Sequence, residues 1–551
     1  MRSTITLLAV VLLASVSSLQ AQTRYIDAMF EVGDPETVVY GQNVDVFLRG
    51  VNMLEADVYK PVGDDDNESL RPLVVVFPTG NFLIQYLNQG PYGSRKDSAA
   101  IEIIDRVVSR GYVGMVAEYR TGWLPASTIQ DVRTSTLLQA AYRGGQDAHT
   151  LARYIRKTVV EDNNPMRVDT NRIVFWGLGT GGYVTMTHAF LDDIEEVLED
   201  DRFYGADDQP YVSLATNSNP QGTLPSAFPA AQGGGPSNIP NHVGYNSTVA
   251  MSINTNGALG DLDWMTGADT EPIVLGYHSP SDPFAPFEVG PVIVPTTRDL
   301  VVGGVAGTSA ILQKAQELGL NDAIESANAL QLPAMFPALS TVVNNINAAY
   351  KMVTVDLSAL GQGTMVSLSH DDMFPLSVGD RSSTPTGAIG STYNWIDSTR
   401  VRAEIAGFNT AFMQDIDATG VINNERLTNP NAYDAAGARL VIDTIMAHFI
   451  PRAFIGLDLE TLVSTNDLLD NSAIGLELFP NPASDGFTVR TAEGHAIRAY
   501  RVFDFSGRVV RQRDGVNLNT AFIERGELPR GTYVVQLQMD QGIAARKVII
   551  E

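Results

Sequence analysis

The sequence predicts a mostly parallel α/β sheet covered by helices, followed by a small separate β-sandwich. Three observations carry this. Leu73-Val74-Val75-Val76-Phe77 is an unbroken apolar run, the pattern of a strand buried on both faces. Runs of this kind alternate with helix-period segments, which implies parallel strands joined by crossover helices. After Asn466 the pattern changes to short strands separated by turns, which favours an antiparallel sandwich.

The bulk properties set limits. A chain of 551 residues, 44% apolar, has room for a large core and more than one domain. A net charge of −26 argues against a phosphate-binding surface, so no nucleic-acid partner is expected. With no cysteine, the fold relies on packing and not on crosslinks. Residues 1–21 have the make-up of a signal peptide: Arg2 at the positive end, an apolar run from Leu7 to Val16 too short to span a bilayer, and Ala21 for cleavage. The competing reading is a buried N-terminal helix. No later segment reaches about 18 consecutive apolar residues, so no transmembrane segment is expected.

In chain order, the partial alternation from Val44 to Tyr59 suggests antiparallel strands, and Asp64-Asp65-Asp66-Asn67 a solvated turn; no metal site is expected. The strand Leu73 to Phe77 ends in Pro78-Thr79-Gly80-Asn81-Phe82. A helix from Ser98 to Arg110, a strand from Tyr112 to Arg120 and a helical pattern from Leu137 to Val160 follow. Ile173-Val174-Phe175-Trp176 is a short buried strand, and a glycine-rich turn leads from it to a helix beginning near Tyr183. Residues 191–240 break the rhythm with Pro, Gly, Ser and Asn, including Gln232-Gly233-Gly234-Gly235-Pro236, and form a candidate lid. Val249 to Ile253 and Pro272 to Tyr277 resume the sheet. Residues 305–350 are a helical insertion, Met365-Val366-Ser367-Leu368 a last strand ending near His370, and Ala432 to Phe449 a closing helix. The expected domains are 22–465, a linker at 466–475, and 476–551.

The turn Gly177-Leu178-Gly179-Thr180-Gly181 is where chemistry is decided. Strand, sharp turn and helix is the setting of the nucleophile elbow, G-x-S-x-G, but the nucleophile position holds Gly179. The same residues fit G-x-G-x-x-G, the dinucleotide fingerprint. They sit far from the start of the domain, in a chain with an export signal, so no cofactor is expected. Gly179 also suits a turn that simply needs positive φ.

Two families are recognisable at this point. Residues of about 40–455 resemble the α/β-hydrolase superfamily in its carboxylesterase and lipase-like branch. The likeness rests on Asp57 to Pro61, Leu73 to Phe82, Glu118-Tyr119-Arg120, Gln146-Asp147-Ala148, the elbow, Asn256 to Asp261, and Ser279 to Pro283. Residues of about 476–551 resemble the C-terminal sorting domain of type IX secretion cargo. There the marks are Phe479-Pro480-Asn481-Pro482, Phe505-Ser506-Gly507-Arg508, Leu528 to Tyr533, and the ending Arg546-Lys547-Val548-Ile549-Ile550.

The first resemblance implies a set of roles. The acid that orients the base falls on Asp282, and the base on His370. One oxyanion donor is the Thr180 amide, and the other comes from Gly80 or Asn81, where Pro78-Thr79-Gly80-Asn81 replaces the family's His-Gly-Gly-Gly loop. Glycine has no side chain to attack a carbonyl, and a shift of one residue points the Thr180 side chain elsewhere. Read without the resemblance, Asp282 before Pro283 is a turn residue, and His370 beside Asp371 and Asp372 a solvated loop histidine. Two functions follow. One is a non-catalytic or weakly catalytic relative of carboxylesterases that binds an ester, lipid or glycan-like ligand. The other is an active ester hydrolase with an unorthodox nucleophile or water activated by His370. The second resemblance implies secretion or surface display, with the type IX machinery as partner.

Overall fold

The computed structural model describes residues 24–63, 70–294, 297–324, 354–355, 366–367, 373–376, 383–459, 471, 474–503, 509–526, 528–539 and 542–551. The segment expected as a signal peptide, the Asp64 turn, most of the helical insertion and His370 lie outside these residues. The chain divides into two compact units, one ending at Leu457 and the other starting at Asp458.

The first unit is built on β1 (Glu36–Val44), β2 (Val51–Tyr59), β3 (Arg71–Phe77), α1 (Ser98–Val108), β4 (Val113–Ala117), α2 (Gln130–Glu161), β5 (Val168–Leu178), α3 (Thr180–Phe190), β6 (Met251–Thr255) and β7 (Ile273–His278). Then come a hairpin of β8 (Val289–Ile293) and β9 (Leu300–Gly307), α4 (Thr308–Glu317), β10 (Met373–Pro375), α5 (Ser398–Phe412), α6 (Ala418–Glu425) and α7 (Ala435–Gly456). Among the described residues eight strands form one sheet in the order β1-β2-β4-β3-β5-β6-β7-β10. The pairings from β4 through β10 are parallel, and β2 is antiparallel to both its neighbours. This is the α/β-hydrolase arrangement.

The side-chain period of two explains why the sheet is covered on both faces. Leu73, Val75 and Phe77 of β3 join one buried cluster with Leu137, Ala148 and Leu151 of α2 and Val184 of α3. On the other face Trp176 of β5 stacks on Tyr277 and packs against Phe449 of α7, with ring centroids 5.6 and 5.0 Å away. Every residue of β3 is buried, as the unbroken apolar run requires.

The end of the sheet differs from expectation. Val366–Ser367 does not close it; those residues pair antiparallel with Thr354–Val355. The closing strand is Met373–Pro375, parallel to β7. A three-residue edge strand ending in proline carries almost no periodic signal, so the longer apolar run upstream looked stronger. His370 therefore precedes the last strand in the chain.

Among the described residues the second unit has the strands β11 (Glu477–Phe479), β12 (Gly486–Arg490), β13 (Ile497–Phe503), β14 (Val509–Leu518), β15 (Thr520–Glu524), β16 (Gly531–Met539) and β17 (Gly542–Ile550). They form two antiparallel sheets, β11-β12-β15 and β14-β13-β16-β17, around a core that includes Phe487, Val489, Val502, Tyr533, Val535 and Val548. Asn481 explains itself: its amide donates to the Lys547 carbonyl at 3.1 Å and its oxygen accepts from the Ile549 N–H at 2.8 Å, fastening the Pro-Asn-Pro turn to β17.

Candidate functional site

The site begins where β5 ends. Gly179 has φ 54° and ψ −117°, and α3 starts at the next residue. That backbone region strains any residue with a Cβ. Two hydrogen bonds fix the turn, Gly179 N–H to the Thr255 carbonyl at 2.7 Å and Gly182 N–H to the Gly179 carbonyl at 2.8 Å. The flanking glycines are needed for close approach. A Cβ on Gly177 would overlap the Gly181 carbonyl, one on Gly181 the Phe77 carbonyl oxygen, and one on Gly182 would lie 2.9 Å from the Gly257 Cα. As the first residue of α3, Thr180 has no carbonyl four residues back for its N–H, which sits at the positive end of the helix.

The space a side chain on Gly179 would use is taken. A Cβ built there would lie 2.9 Å from the Thr79 Cβ and closer still to its Oγ1. Thr79 stands in the loop after β3, half-buried, and its hydroxyl has no hydrogen-bond partner among the described residues. This loop is held firmly. The Tyr119 hydroxyl donates to the Pro78 carbonyl at 2.7 Å, and Asn88 Nδ2 donates to the Gly80 carbonyl at 3.3 Å. With its one proton spent on Pro78, Tyr119 accepts from Thr180 Oγ1 at 2.9 Å, so the Thr180 side chain is engaged away from the turn. Gly80 (φ 154°) and Asn81 (φ 56°) follow, and neither N–H bonds a backbone carbonyl among the described residues.

Asp282 lies just past β7 and is buried. Its Oδ1 accepts from the N–H groups of Phe284 at 2.6 Å and Ala285 at 3.1 Å, and its Oδ2 accepts from Asn256 Nδ2. Burial pushes this carboxyl up to about 7, against the pull of those three bonds. A second carboxyl, Glu425 at the end of α6, is also raised to about 7 by burial while accepting from Asn429 Nδ2 at 2.8 Å and Ser391 Oγ at 3.3 Å.

These groups share one cleft of about 910 Å³ at the C-terminal ends of the parallel strands, lined by Thr79, Gly80, Asn81, Gly179, Thr180, Asn256, Asp282 and Glu425 among others. Ligand sites of open α/β sheets form at this end. The walls come from residues 83–92, from 123–137, from the β8–β9 hairpin with Arg298 near its tip, and from 386–393 and 424–428. Residues 191–240, expected as a lid, supply none of the lining. They are tied down instead, through Asn43 to Asn238 at 2.9 Å, Gln146 to the Asn217 carbonyl at 2.6 Å and Tyr142 to the Ser218 carbonyl at 2.9 Å. Among the described residues no histidine lines the cleft, and no group of three or more His, Cys, Asp or Glu could hold a metal ion. Thr79, Glu425 and Asn256 were not singled out from the sequence. The available signal was the hydroxyl of Thr79, one residue before Gly80 in the loop that follows the buried strand.

Residues 477–551 match the family model described as a secretion system C-terminal sorting domain. The protein is thus type IX cargo, secreted or held at the cell surface. Among the described residues no helix is long and apolar enough to cross a membrane. No curated protein matches the chain. Solved structures similar to it include Thermogutta terrifontis esterase 2 phosphorylated by paraoxon, at 17% identity over 46% of this chain and 74% of that one, with a TM-score of 0.25. Another is MGS-M1, an α/β-hydrolase enzyme from a Medee basin deep-sea metagenome library, at 12% identity over 53% of this chain and 79% of that one, with a TM-score of 0.26. The fold assignment rests on the strand order and the elbow.

Proposed function

We propose that the first unit is an exported ester-binding protein, non-catalytic or weakly catalytic, whose ligand is an ester, lipid or glycan-like molecule. The observation that carries this reading is Gly179: it keeps the strained elbow backbone at the mouth of a large cleft, yet brings no side chain, and Thr79 fills the vacated space. In this reading the Thr180 N–H, with Gly80 or Asn81, receives the ligand's carbonyl oxygen, and Asp282 keeps the neighbouring turn in shape. Residues 1–21 serve as the signal peptide, 22–465 carry the cleft and 476–551 the export signal. The alternative keeps catalysis, with an unorthodox nucleophile or with water activated by His370. What favours it is the free hydroxyl of Thr79 beside the elbow.

The deciding experiment is an ester panel with fluorophosphonate labelling on the purified mature chain, alongside calorimetric binding of a non-reactive amide analogue. Binding with slow or absent turnover supports the first reading. Fast turnover that is lost in His370→Ala supports the second. A chain that binds neither ester nor amide refutes both.

A further inference from the structure

We infer that Thr79 takes the place of the missing serine as an acyl acceptor: an activated carboxylic ester bound in the cleft acylates its Oγ1. This rests on the reading of the cleft as an ester site. The loop after β3 brings the Thr79 hydroxyl into the volume that the CH2–OH of a serine at Gly179 would fill. The carbonyl position that faces an elbow nucleophile therefore also faces Thr79, with the Thr180 N–H next in the chain and the positive end of α3 behind it. The hydroxyl is accessible from the cleft and has no hydrogen bond to give up among the described residues. Its loop is preorganised by Tyr119 on Pro78 and by Asn88 on Gly80. The other hydroxyl of the turn, on Thr180, is held by Tyr119.

The step balances as a transesterification. Thr79 Oγ1 forms a bond to the acyl carbon, the bond from that carbon to the leaving oxygen breaks, and the threonine proton passes through cleft water to the leaving alkoxide or to solvent. The products are an acyl-threonine and an alcohol. An acyl-threonine is an ordinary alkyl ester that hydrolyses slowly unless water is activated, so the expected signature is one covalent event per chain and not fast turnover.

The test uses the full chain with p-nitrophenyl acetate, reading the p-nitrophenolate burst, the intact mass and the labelled peptide, with 4-nitroacetanilide as the non-reactive binding probe. The expected result is one acetyl group, mapped to Thr79. Thr79→Ala should still bind the anilide but lose the burst at least tenfold. Thr79→Ser, with a primary hydroxyl in place of a secondary one, should restore it. Anilide binding with no acetylation, or with acetylation mapped elsewhere, overturns the assignment and leaves the ester cleft standing. A wild-type chain that binds no anilide and takes no acetyl group overturns both.

Discussion

At the scale of single residues the site is an interplay of two turns. The glycine at the centre of the elbow turn was legible because the G-x-S-x-G frame is local in sequence. Thr79 was not, because its proximity to Gly179 is created only when β3 and β5 pair in register. That proximity changes what Gly179→Ser should do. The new Cβ would meet Thr79 and would add backbone strain of about 1–3 kcal/mol at positive φ. We expect the single variant to be destabilised and to give little p-nitrophenolate burst, and Thr79→Gly added to it to recover part of the stability and raise the burst at least tenfold. In that double variant Thr79 no longer offers a hydroxyl, so acetylation mapped to position 179 identifies the introduced serine. An equal burst in the single and double variants would show that Thr79 does not obstruct the turn. Gly181→Ala gives a separate check. Alanine ordinarily favours a helix by about 1 kcal/mol, but here its Cβ would run into the Phe77 carbonyl. A loss of about 1–3 kcal/mol in denaturant unfolding is expected, and an unchanged midpoint would contradict the packing.

At the scale of elements, the strands buried on both faces were legible because their signal is continuous hydrophobicity. The β8–β9 hairpin and β10, which shape and close the cleft side of the sheet, were not: their residues mix Gly, Pro and short apolar runs with no sustained period. The helix pair α2 and α3 carries a pH dependence. His149 and His188 lie ring to ring with centroids 4.3 Å apart, bonded to Ser247 Oγ and the Ser247 carbonyl respectively. Burial lowers both, His188 to about 4. A histidine lowered on folding leaves the unfolded chain holding more protons, so its contribution is complete above the ordinary value near 6.5 and is lost as pH falls towards 4. Asp282 and Glu425, raised to about 7, act in the opposite sense: their contribution is complete below the ordinary carboxyl range and is lost as pH rises through 7. Variants separate the two sets. His188→Asn should flatten the loss of stability between pH 6.5 and 4. Glu425→Gln, which keeps an acceptor for Asn429 and Ser391, should flatten the loss between pH 4 and 7. Chemical unfolding across that range reads both, each by at most about 1.4 kcal/mol per pH unit. Parallel curves for variant and parent would mean that the group titrates alike in the folded and unfolded chains.

At the scale of the whole molecule, the two kinds of pattern, helix alternating with strand and then strand alone, were enough to separate a hydrolase-fold unit from a sandwich, because each unit has its own core. The chain itself divides between Leu457 and Asp458, a little before the composition shift. A unit with its own core is expected to fold by itself. The sorting match covers 477–551, and the fastening of Asn481 to β17 makes the last strand part of that unit's frame. A chain ended after about residue 475 should therefore keep the unfolding transition and anilide binding of the first unit, yet accumulate inside cells that possess type IX secretion. Asn481→Ala in the full chain should loosen the sandwich by about 0.5–1.5 kcal/mol through the loss of two solvent-exposed hydrogen bonds, and reduce export without changing the first unit's transition. Fractionation of cells and medium with calorimetry of each form tests this. Normal export of the shortened chain would remove the sorting role, and a first unit that fails to fold alone would show that its stability depends on the sandwich.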